Sequence, residues 1–260
     1  MKYRTLDRVQ NIAVISLALV LAVGFVVHLM EALALGAMGS PMLPGQISLH
    51  HAFITRAVQE TGSVNVVSAI LMDYRGFDTF GEATVIFTAV AVAATILGKP
   101  NLTQRDGTMG LLSRRLLSAV LPLFFLFPMY VIIHGHISPG GGFQGGVSLA
   151  VLIILIHVAF GMRFGQHVIS LRVLSITEYT AALTLLATGF FGITQGVSFL
   201  SNYIAGAPQG TPGELLSAGI IPLLNFLVGF KVAAGLGSLY IYLSGHESIA
   251  EQSITGKGSR

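Results

Sequence analysis

Two histidines, His134 and His136, open an uncharged segment, HGHISPGGGFQGG, that lies between two membrane-length apolar runs. Imidazoles titrate near neutral pH and can relay protons. Five glycines and a proline lie between Ser138 and Gly146. In a helix interior each glycine costs about 1 kcal/mol and proline about 3 kcal/mol. We therefore expect irregular backbone from Ser138 to Gly146, walled off from lipid by protein or by a water-filled cavity. His136 is predicted to face a polar, hydrated cavity.

Two other chemistries are open to this segment. The histidines could bind a metal, but two imidazoles without a convergent cysteine or a nearby carboxylate are a weak signal. The glycine run could cradle a phosphate, as glycine-rich loops do. However, no lysine follows it, and it opens a membrane helix. A proton relay without a bound metal is the favoured interpretation.

Lys231 is an ionisable residue in the middle of an apolar run. Sixteen uncharged residues precede it from Leu215, and thirteen follow it to Ser244. A charge at the bilayer centre costs roughly 3 kcal/mol and marks an ion pathway or a buried pair by default. Two interpretations are therefore open for Lys231, namely charge transfer and a structural ion pair with a carboxylate of a neighbouring helix.

Three carboxylates are the candidate partners or carriers. Asp78 and Glu82 are four residues apart and share one helix face. Neighbouring carboxylates hold a proton more readily than an isolated one, which suits a proton carrier. Alternatively, Asp78 and Arg75 are interfacial and Glu82 pairs with a lysine of another helix. Glu178 is a further pathway candidate, although a carboxylate near a helix N-terminus also has a dipole explanation.

The composition is that of an all-α integral membrane protein. Of the 260 residues, 53% are hydrophobic and only 10% are charged, and the mean hydropathy is +0.78. Soluble domains are about 25% charged. The net charge of +3 does not indicate nucleic acid, because the basic residues are distributed as in a membrane protein. Cysteine is absent, which excludes iron–sulfur clusters and thiolate zinc sites from this chain. We expect no cofactor and no enzymatic activity, and any redox chemistry would belong to another polypeptide.

Six transmembrane helices of about 20 residues are predicted, with the glycine-rich break between the third and the fourth. They cover Asn11 to Met30, Thr79 to Gly98, Leu116 to Ile133, Gly145 to Met162, Ser175 to Leu200, and Ile220 to Leu243. With both termini cytoplasmic, eleven basic residues lie inside and only Arg56 and Arg75 lie outside. The inside set is Lys2, Arg4, Arg8, Lys99, Arg105, Arg114, Arg115, Arg163, Arg172, Lys257 and Arg260. The positive-inside rule therefore favours a six-span protein of the cell membrane.

The polar linker Lys99 to Arg115 predicts two modules. Residues 1–100 would form a two-helix module, and residues 101–260 a four-helix domain. Within the first module, Ala52 to Met72 is expected to lie along the membrane surface or to re-enter it.

The last span has two faces that both need protein neighbours. Gly229, Ala233 and Gly237 form a small-residue stripe at a spacing of four, which lets helix backbones approach closely. Lys231 points about 160° away from Ala233 at 100° per residue. These opposed faces predict that the helix lies inside an assembly. By contrast, His28 and His157 are expected to be ordinary helix-contact residues.

Two long motifs carry a family resemblance. The segments HGHISPGGGFQGG and VGFKVAAGLG resemble the B subunit of the Mrp-type multisubunit sodium/proton antiporters and its counterparts in energy-converting membrane-bound hydrogenases. The segment NVVSAILMDYRGFDTFGEATVIFTAVAV resembles the short C-terminal module of the antiporter's large A subunit. Together the two resemblances cover residues 11–98 and 105–244. The many-helix part of the A subunit has no counterpart in this sequence, and two usually separate pieces are joined here.

The resemblance implies functional positions and a role. The glutamate of the family's GE-x-TV motif falls on Glu82, and the intramembrane lysine falls on Lys231. In the H-x-S-P-G-G-G-F motif the corresponding residues are His136, Pro139, Gly140, Gly141, Gly142 and Phe143. The family links these positions to ion transport or assembly. The implied role is that of a non-redox subunit of a cation/proton translocation module, with sodium ions, protons, the lipid bilayer and other membrane subunits of an antiporter or hydrogenase-type complex as partners.

Three alternatives stay open at this point. The chain could be a subunit of a stand-alone Mrp-type antiporter. It could be a self-sufficient secondary transporter, although such proteins have matching broken helices in two halves and only one broken segment is visible here. It could also be a passive scaffold whose buried charges only pair with one another.

Overall fold

The computed structural model describes residues 49–100, 109–202, 207 and 209–255. The predicted first span, Asn11 to Met30, lies outside this part of the chain, as do His28 and residues 101–108 of the polar linker. The total of six spans and the cytoplasmic placement of both termini therefore stay predictions.

Every regular element in the described residues is helical. The elements are α1 (Leu49–Thr61), α2 (Val66–Ala69), a π-helix (Ile70–Tyr74), α3 (Gly76–Leu97), α4 (Leu111–Ile133), α5 (Gly142–Phe160), α6 (Met162–Val168), α7 (Leu171–Thr194) and α8 (Ile221–Thr255). Five of them, α3, α4, α5, α7 and the Ile221–Gly245 part of α8, are long and apolar enough to cross a membrane. The prediction of an all-α, multi-pass membrane protein is confirmed.

The predicted bounds of several spans were wrong. The second span, predicted from Thr79, begins at Gly76, and the third, predicted from Leu116, begins at Leu111. The fifth span, predicted as Ser175 to Leu200, begins at Leu171 because the Ser170 hydroxyl caps the helix by accepting from the Val173 N–H at 3.3 Å. The same helix ends at Thr194, where Gln195 closes the last turn before Gly196 takes a positive φ of 79°. The apolar residues that follow therefore belong to a loop. The fourth span begins at Gly142, three residues before its predicted start.

Helix α8 is the centre of the bundle. Within the chain 56% of its span is buried, compared with 17% for α3 and for α4. One core cluster joins Leu185 of α7 and Ala83 of α3 to Leu224, Val228 and Val232 of α8. The apolar outer faces of α3 and α4 are left for lipid or for partner subunits.

The small-residue stripe of α8 packs against α4 and α5 of the same chain. A Cβ on Gly229 would lie 2.7 Å from Cδ1 of Ile132, and one on Gly237 would lie 3.2 Å from Cγ2 of Ile153. The opposite face, at Lys231, meets α3 and α7. Both faces are packed, as predicted, but the neighbours are helices of this chain. The stripe is therefore no evidence for a partner subunit.

Residues 52–72 fold into short helices. Asn65 caps α2, because its side-chain oxygen accepts from the N–H groups of Val67 and Ser68. The π-helix that follows bends the chain into α3, and the Thr79 hydroxyl donates to the Leu71 carbonyl at 2.6 Å. The predicted placement of this segment along the membrane surface stays a prediction.

His157 is a structural residue in the last turn of α5. Its Nδ1 lies 2.8 Å from the Ile153 carbonyl, and its Nε2 lies 3.4 Å from Nε2 of Gln166. The oxygen of Gln166 accepts from the N–H of Leu171, the first residue of α7, at 3.0 Å. This chain of hydrogen bonds fits a neutral imidazole with its proton on Nδ1, and it supports the helix-contact interpretation.

A candidate ion-translocation site

The buried pair of Lys231 and Glu178 forms the first part of the candidate site. The Lys231 ammonium lies 3.9 Å from Oε1 of Glu178, and the two residues are 2% and 1% exposed. The ammonium also donates to the backbone carbonyl of Ala83 in α3. It lies 5.7 Å from the centre of the Phe87 ring, within range of a cation–π contact. Three helices therefore meet at this lysine.

Glu178 is held in place by the shape of α8. A Cβ on Gly235 would lie 3.0 Å from Oε1 of Glu178, so the glycine makes room for the carboxylate. Oε1 has no hydrogen-bond partner among the described residues. Because α7 begins at Leu171, Glu178 is two turns inside the helix. The helix-dipole explanation for this residue was therefore wrong.

An apolar cleft of about 490 Å³ opens between α3 and α7 and reaches Lys231. Phe80 and Phe87 line it from α3, and Tyr179 and Leu183 line it from α7. The lysine thus lies at the inner end of an apolar opening in the surface of the bundle, and the remaining N–H groups of the ammonium find few acceptors there.

The glycine-rich turn is the second part of the site, and it is shorter than predicted. Irregular backbone runs only from His134 to Gly141, and Gly142 to Gly146 already form the first turn of α5. These glycines are needed for close packing. A Cβ on Gly142 would lie 2.3 Å from the carbonyl oxygen of Asn225, and one on Gly146 would lie 2.5 Å from that of Gly229. The prediction of irregular backbone as far as Gly146 was therefore wrong.

Protein groups satisfy the polar backbone of the turn. The Asn65 amide donates to the carbonyls of Gly135 at 2.8 Å and Ser138 at 3.0 Å, and the Ser63 hydroxyl donates to that of His136 at 2.9 Å. On the other side, the Gly142 N–H donates to Oδ1 of Asn225 at 2.9 Å. The Asn225 amide in turn donates to the Ser68 hydroxyl at 3.0 Å. The turn is thus fastened to both α2 and α8.

His136 and His134 lie in different surroundings. The His136 ring is fully buried, with Nε2 3.3 Å from the Glu214 carbonyl, and its Nδ1 has no partner among the described residues. Burial lowers the pKa of His136, although the Glu214 carbonyl partly offsets this. The neutral ring is therefore favoured at pH 7. His134 stacks on Tyr130, with ring centres 4.2 Å apart. Protein encloses the ring, so the predicted exposure of His136 to a polar cavity is not observed, and hydration at its Nδ1 stays a prediction.

The remaining motif residues lie around the turn. Pro139 is exposed at its tip, and Phe143 packs against the core cluster of α7 and α8. Gly140 and Gly141 have φ values of 141° and 139°. Residues with a Cβ rarely adopt such backbone.

Glu82 lies beside the turn, whereas Asp78 is engaged elsewhere. Glu82 lines a cavity of about 10 Å³ together with Gly141, Phe143 and Asn225. That volume is about the size of one water molecule. Glu82 is exposed, and no described residue forms a hydrogen bond or ion pair with its carboxylate. Asp78 is also exposed and forms an ion pair with Arg75. Among the described residues Lys231 pairs with Glu178 and not with Glu82.

Sequence reasoning missed the asparagines that build the site. Asn65 and Asn225 fasten the turn, and Asn202 ties the loop before α8 to Thr61, donating to its carbonyl at 2.9 Å. Asn202 also accepts from the N–H of Ile220 at 2.8 Å. A signal was present for Asn225, because a polar amide in the apolar run PLLNFLVGF needs a partner on another helix.

Replacing Asn65 with alanine is expected to destabilise the turn. The change removes the cap of α2, worth about 1 kcal/mol, and leaves turn carbonyls unpaired at about 1–3 kcal/mol each. We expect a lower thermal midpoint for the purified complex that contains the chain. Val64→Ala is the matched control, because Val64 is 44% exposed. Equal midpoints for the two variants would contradict the proposed fastening.

Two family models match the chain in succession. Residues 15–99 match the model described as the E subunit of MBH, and residues 112–238 match a domain related to the MnhB subunit of Na+/H+ antiporter. The chain is 33% identical to the uncharacterized protein MJ1307 of Methanocaldococcus jannaschii, over 79% of this chain and 88% of that protein. It is 27% identical to a probable K(+)/H(+) antiporter A/B subunit of Rhizobium meliloti, over 88% of this chain but only 26% of that protein.

Two solved membrane complexes contain a similar chain. A chain of the membrane-bound sulfane sulfur reductase, an archaeal respiratory membrane complex, is 32% identical with a TM-score of 0.65, and the match covers 87% of this chain and 98% of that one. A chain of the Mrp complex from Dietzia sp. shares the fold, with a TM-score of 0.56 and 23% identity over 87% of this chain and 25% of that one. The chain therefore belongs to the Mrp-type antiporter subunit family, as a fusion of a part like the E subunit of MBH with a part related to MnhB.

Proposed function

We propose that this chain is a non-redox membrane subunit of a multisubunit cation/proton translocation module that exchanges sodium for protons. The module would belong to a membrane-bound hydrogenase-type or related respiratory complex. Family membership supports this role, and the observation that carries it is the buried pair of Lys231 and Glu178. Any oxidoreductase activity would lie in partner subunits.

The geometry of the pair favours charge movement over a purely structural bridge. A structural pair in an apolar interior offsets its desolvation only when its geometry is excellent and its remaining polar atoms are satisfied. Here the ammonium and carboxylate are 3.9 Å apart, and Oε1 of Glu178 has no hydrogen bond among the described residues. Such a pair separates easily when Glu178 takes up a proton, because the carboxylic acid no longer attracts the ammonium.

Glu82 is proposed as a second carrier, at the end of the bundle where the turn lies. Its exposed carboxylate borders the one-water cavity beside Gly141 and Asn225. A carboxylate in that place can exchange a proton or bind a sodium ion between the turn and a neighbouring subunit. Asp78 and the two histidines of the turn complete the proposed pathway residues.

We also propose how the chain is divided into modules and where partner subunits contact it. The functional modules are residues 1–100 and residues 101–260, joined through the polar linker. The partners are other membrane subunits, which we place against the apolar outer faces of α3 and α4. Val85 and Ile96 of α3 and Leu123 and Leu126 of α4 are each more than half exposed on those faces.

Replacing Glu82 with glutamine tests the function directly. The amide keeps the size of the side chain but removes the titratable group, so the complex should assemble while sodium-dependent proton movement in inverted vesicles falls about 10-fold or more. Glu214→Gln, in the exposed loop before α8, is the control and should transport normally. Unchanged transport in the Glu82 variant would remove this residue from the pathway.

A further inference from the structure

One face of α8 carries polar groups from Lys231 towards the end of the span. Lys231, Gly235, Ser238 and Tyr242 follow one another at spacings of four, three and four residues. At 100° per residue these positions lie within an arc of about 60°. Glu178 of α7 rests against the same face at Gly235. The interface of α7 and α8 therefore carries a line of polar groups.

Two buried atoms on this line accept or donate no hydrogen bond among the described residues. Ser238 Oγ and Glu178 Oε1 form no hydrogen bond to any described residue, although Ser238 is 0% and Glu178 is 1% exposed. Serine within a helix often bonds the carbonyl four residues back, and Ser238 does not. Buried polar groups are nearly always paired with protein or with ordered water. Because Ser238 lies one turn beyond Gly235, a water molecule between its hydroxyl and Glu178 would satisfy both atoms.

Tyr242 continues the line to the boundary of the span. It is half-buried, lies three residues before Gly245, where the span ends, and is close enough to Glu178 and Tyr179 to interact with them electrostatically. Helical side chains lean towards the N-terminus of their helix, which brings the Tyr242 ring back towards Ser238. A half-buried, hydroxyl-bearing side chain on this face is therefore one helical turn nearer the end of the span than the buried serine.

We propose that Tyr242 and Ser238, joined by ordered water, form the proton-access path to Glu178, an inference that rests on the proposed function. The Tyr242 oxygen accepts a proton from boundary water and releases its own proton inwards. Ser238 relays a proton in the same way, and the Glu178 carboxylate becomes a carboxylic acid. One proton leaves the boundary water and one arrives at Glu178. The distribution of basic residues predicts that this boundary is cytoplasmic.

The test compares Tyr242→Phe and Ser238→Ala with Tyr240→Phe in the intact complex. The Tyr240 ring contacts the His157 ring, with ring centres 6.4 Å apart. Tyr240 comes two residues before Tyr242, so the two side chains point about 160° apart around the helix axis. We expect the two variants of the access path, Tyr242→Phe and Ser238→Ala, to slow sodium-driven proton movement in vesicles about 10-fold each. Tyr240→Phe should keep the wild-type rate. All three complexes should assemble. The thermal midpoint of Ser238→Ala should stay close to the wild-type value, because the hydroxyl has no hydrogen-bond partner among the described residues. A lower midpoint would indicate a structural serine and overturn its role as a relay.

Glu178→Gln separates this inference from the proposed function. If Glu178→Gln abolishes transport while Tyr242→Phe and Ser238→Ala transport like Tyr240→Phe, the access path is wrong and the function of the pair stands. If Glu178→Gln transports normally, the proposed function of the pair itself fails. Loss of transport in Glu178→Gln together with slow transport in both path variants is the result we expect.

Discussion

Replacing Lys231 with methionine is expected to abolish transport and to weaken the complex. Methionine fills a similar volume but leaves Glu178 buried without its counter-charge. Removing one partner of a buried pair typically costs about 3–5 kcal/mol. We therefore expect less assembled complex on native gels and no sodium-dependent proton movement in vesicles. Leu223→Met is a control on the same helix, because Leu223 is 47% exposed, and it should leave both properties unchanged.

The double variant Lys231→Met, Glu178→Gln distinguishes proton transfer from a scaffold role. Neutral residues in place of both charges remove the unpaired buried charge, and such replacements are often neutral or stabilising. Assembly should therefore return to the wild-type level while transport stays absent. If transport also returns, the two charges only pair with one another and the passive-scaffold alternative is correct.

Hydropathy and charge placement predicted the membrane class and the approximate positions of the five described spans. Both signals are strong, because lipid excludes charge over about 20 residues. The identity of the ion-pair partner could not be predicted in the same way. Glu82 and Glu178 are both carboxylates within predicted spans, and only the rotation of α3 and α7 against α8 decides which one faces Lys231. That rotation depends on packing details such as Gly235, which makes room for Glu178.

The glycine-rich segment shows why helix propensity alone did not predict where α5 begins. Five glycines and a proline are unfavourable for a helix exposed to lipid, yet Gly142, Gly145 and Gly146 are helical. Contact with the α4 and α8 backbones outweighs their propensity cost. Similarly, the hydrogen bonds by which Asn65 and Asn225 hold the turn join residues 70 or more positions apart in sequence. No local pattern reveals such partners.

Replacing Gly142 with alanine should disrupt the site through its backbone. The new Cβ would lie 2.3 Å from the carbonyl oxygen of Asn225 and about 3.0 Å from that residue's Cα and carbonyl carbon. These are main-chain atoms of the central helix, so no side-chain rotation relieves the clash, and overpacking of this kind costs about 1–3 kcal/mol or more. Separation of α5 from α8 would also lengthen the hydrogen bond from the Gly142 N–H to Asn225, now 2.9 Å.

The matched control for this variant is Gly110→Ala. Gly110 precedes α4 with φ −64°, which alanine adopts freely, and a Cβ at this position would have nothing within 4 Å. We expect Gly142→Ala to lower both the thermal midpoint of the complex and its amount in the membrane. Transport should fall at least as much as the amount of complex does. Gly110→Ala should match the wild type in all three measurements. A Gly142→Ala complex with a wild-type thermal midpoint would mean that α5 and α8 are further apart at this point than the structure places them.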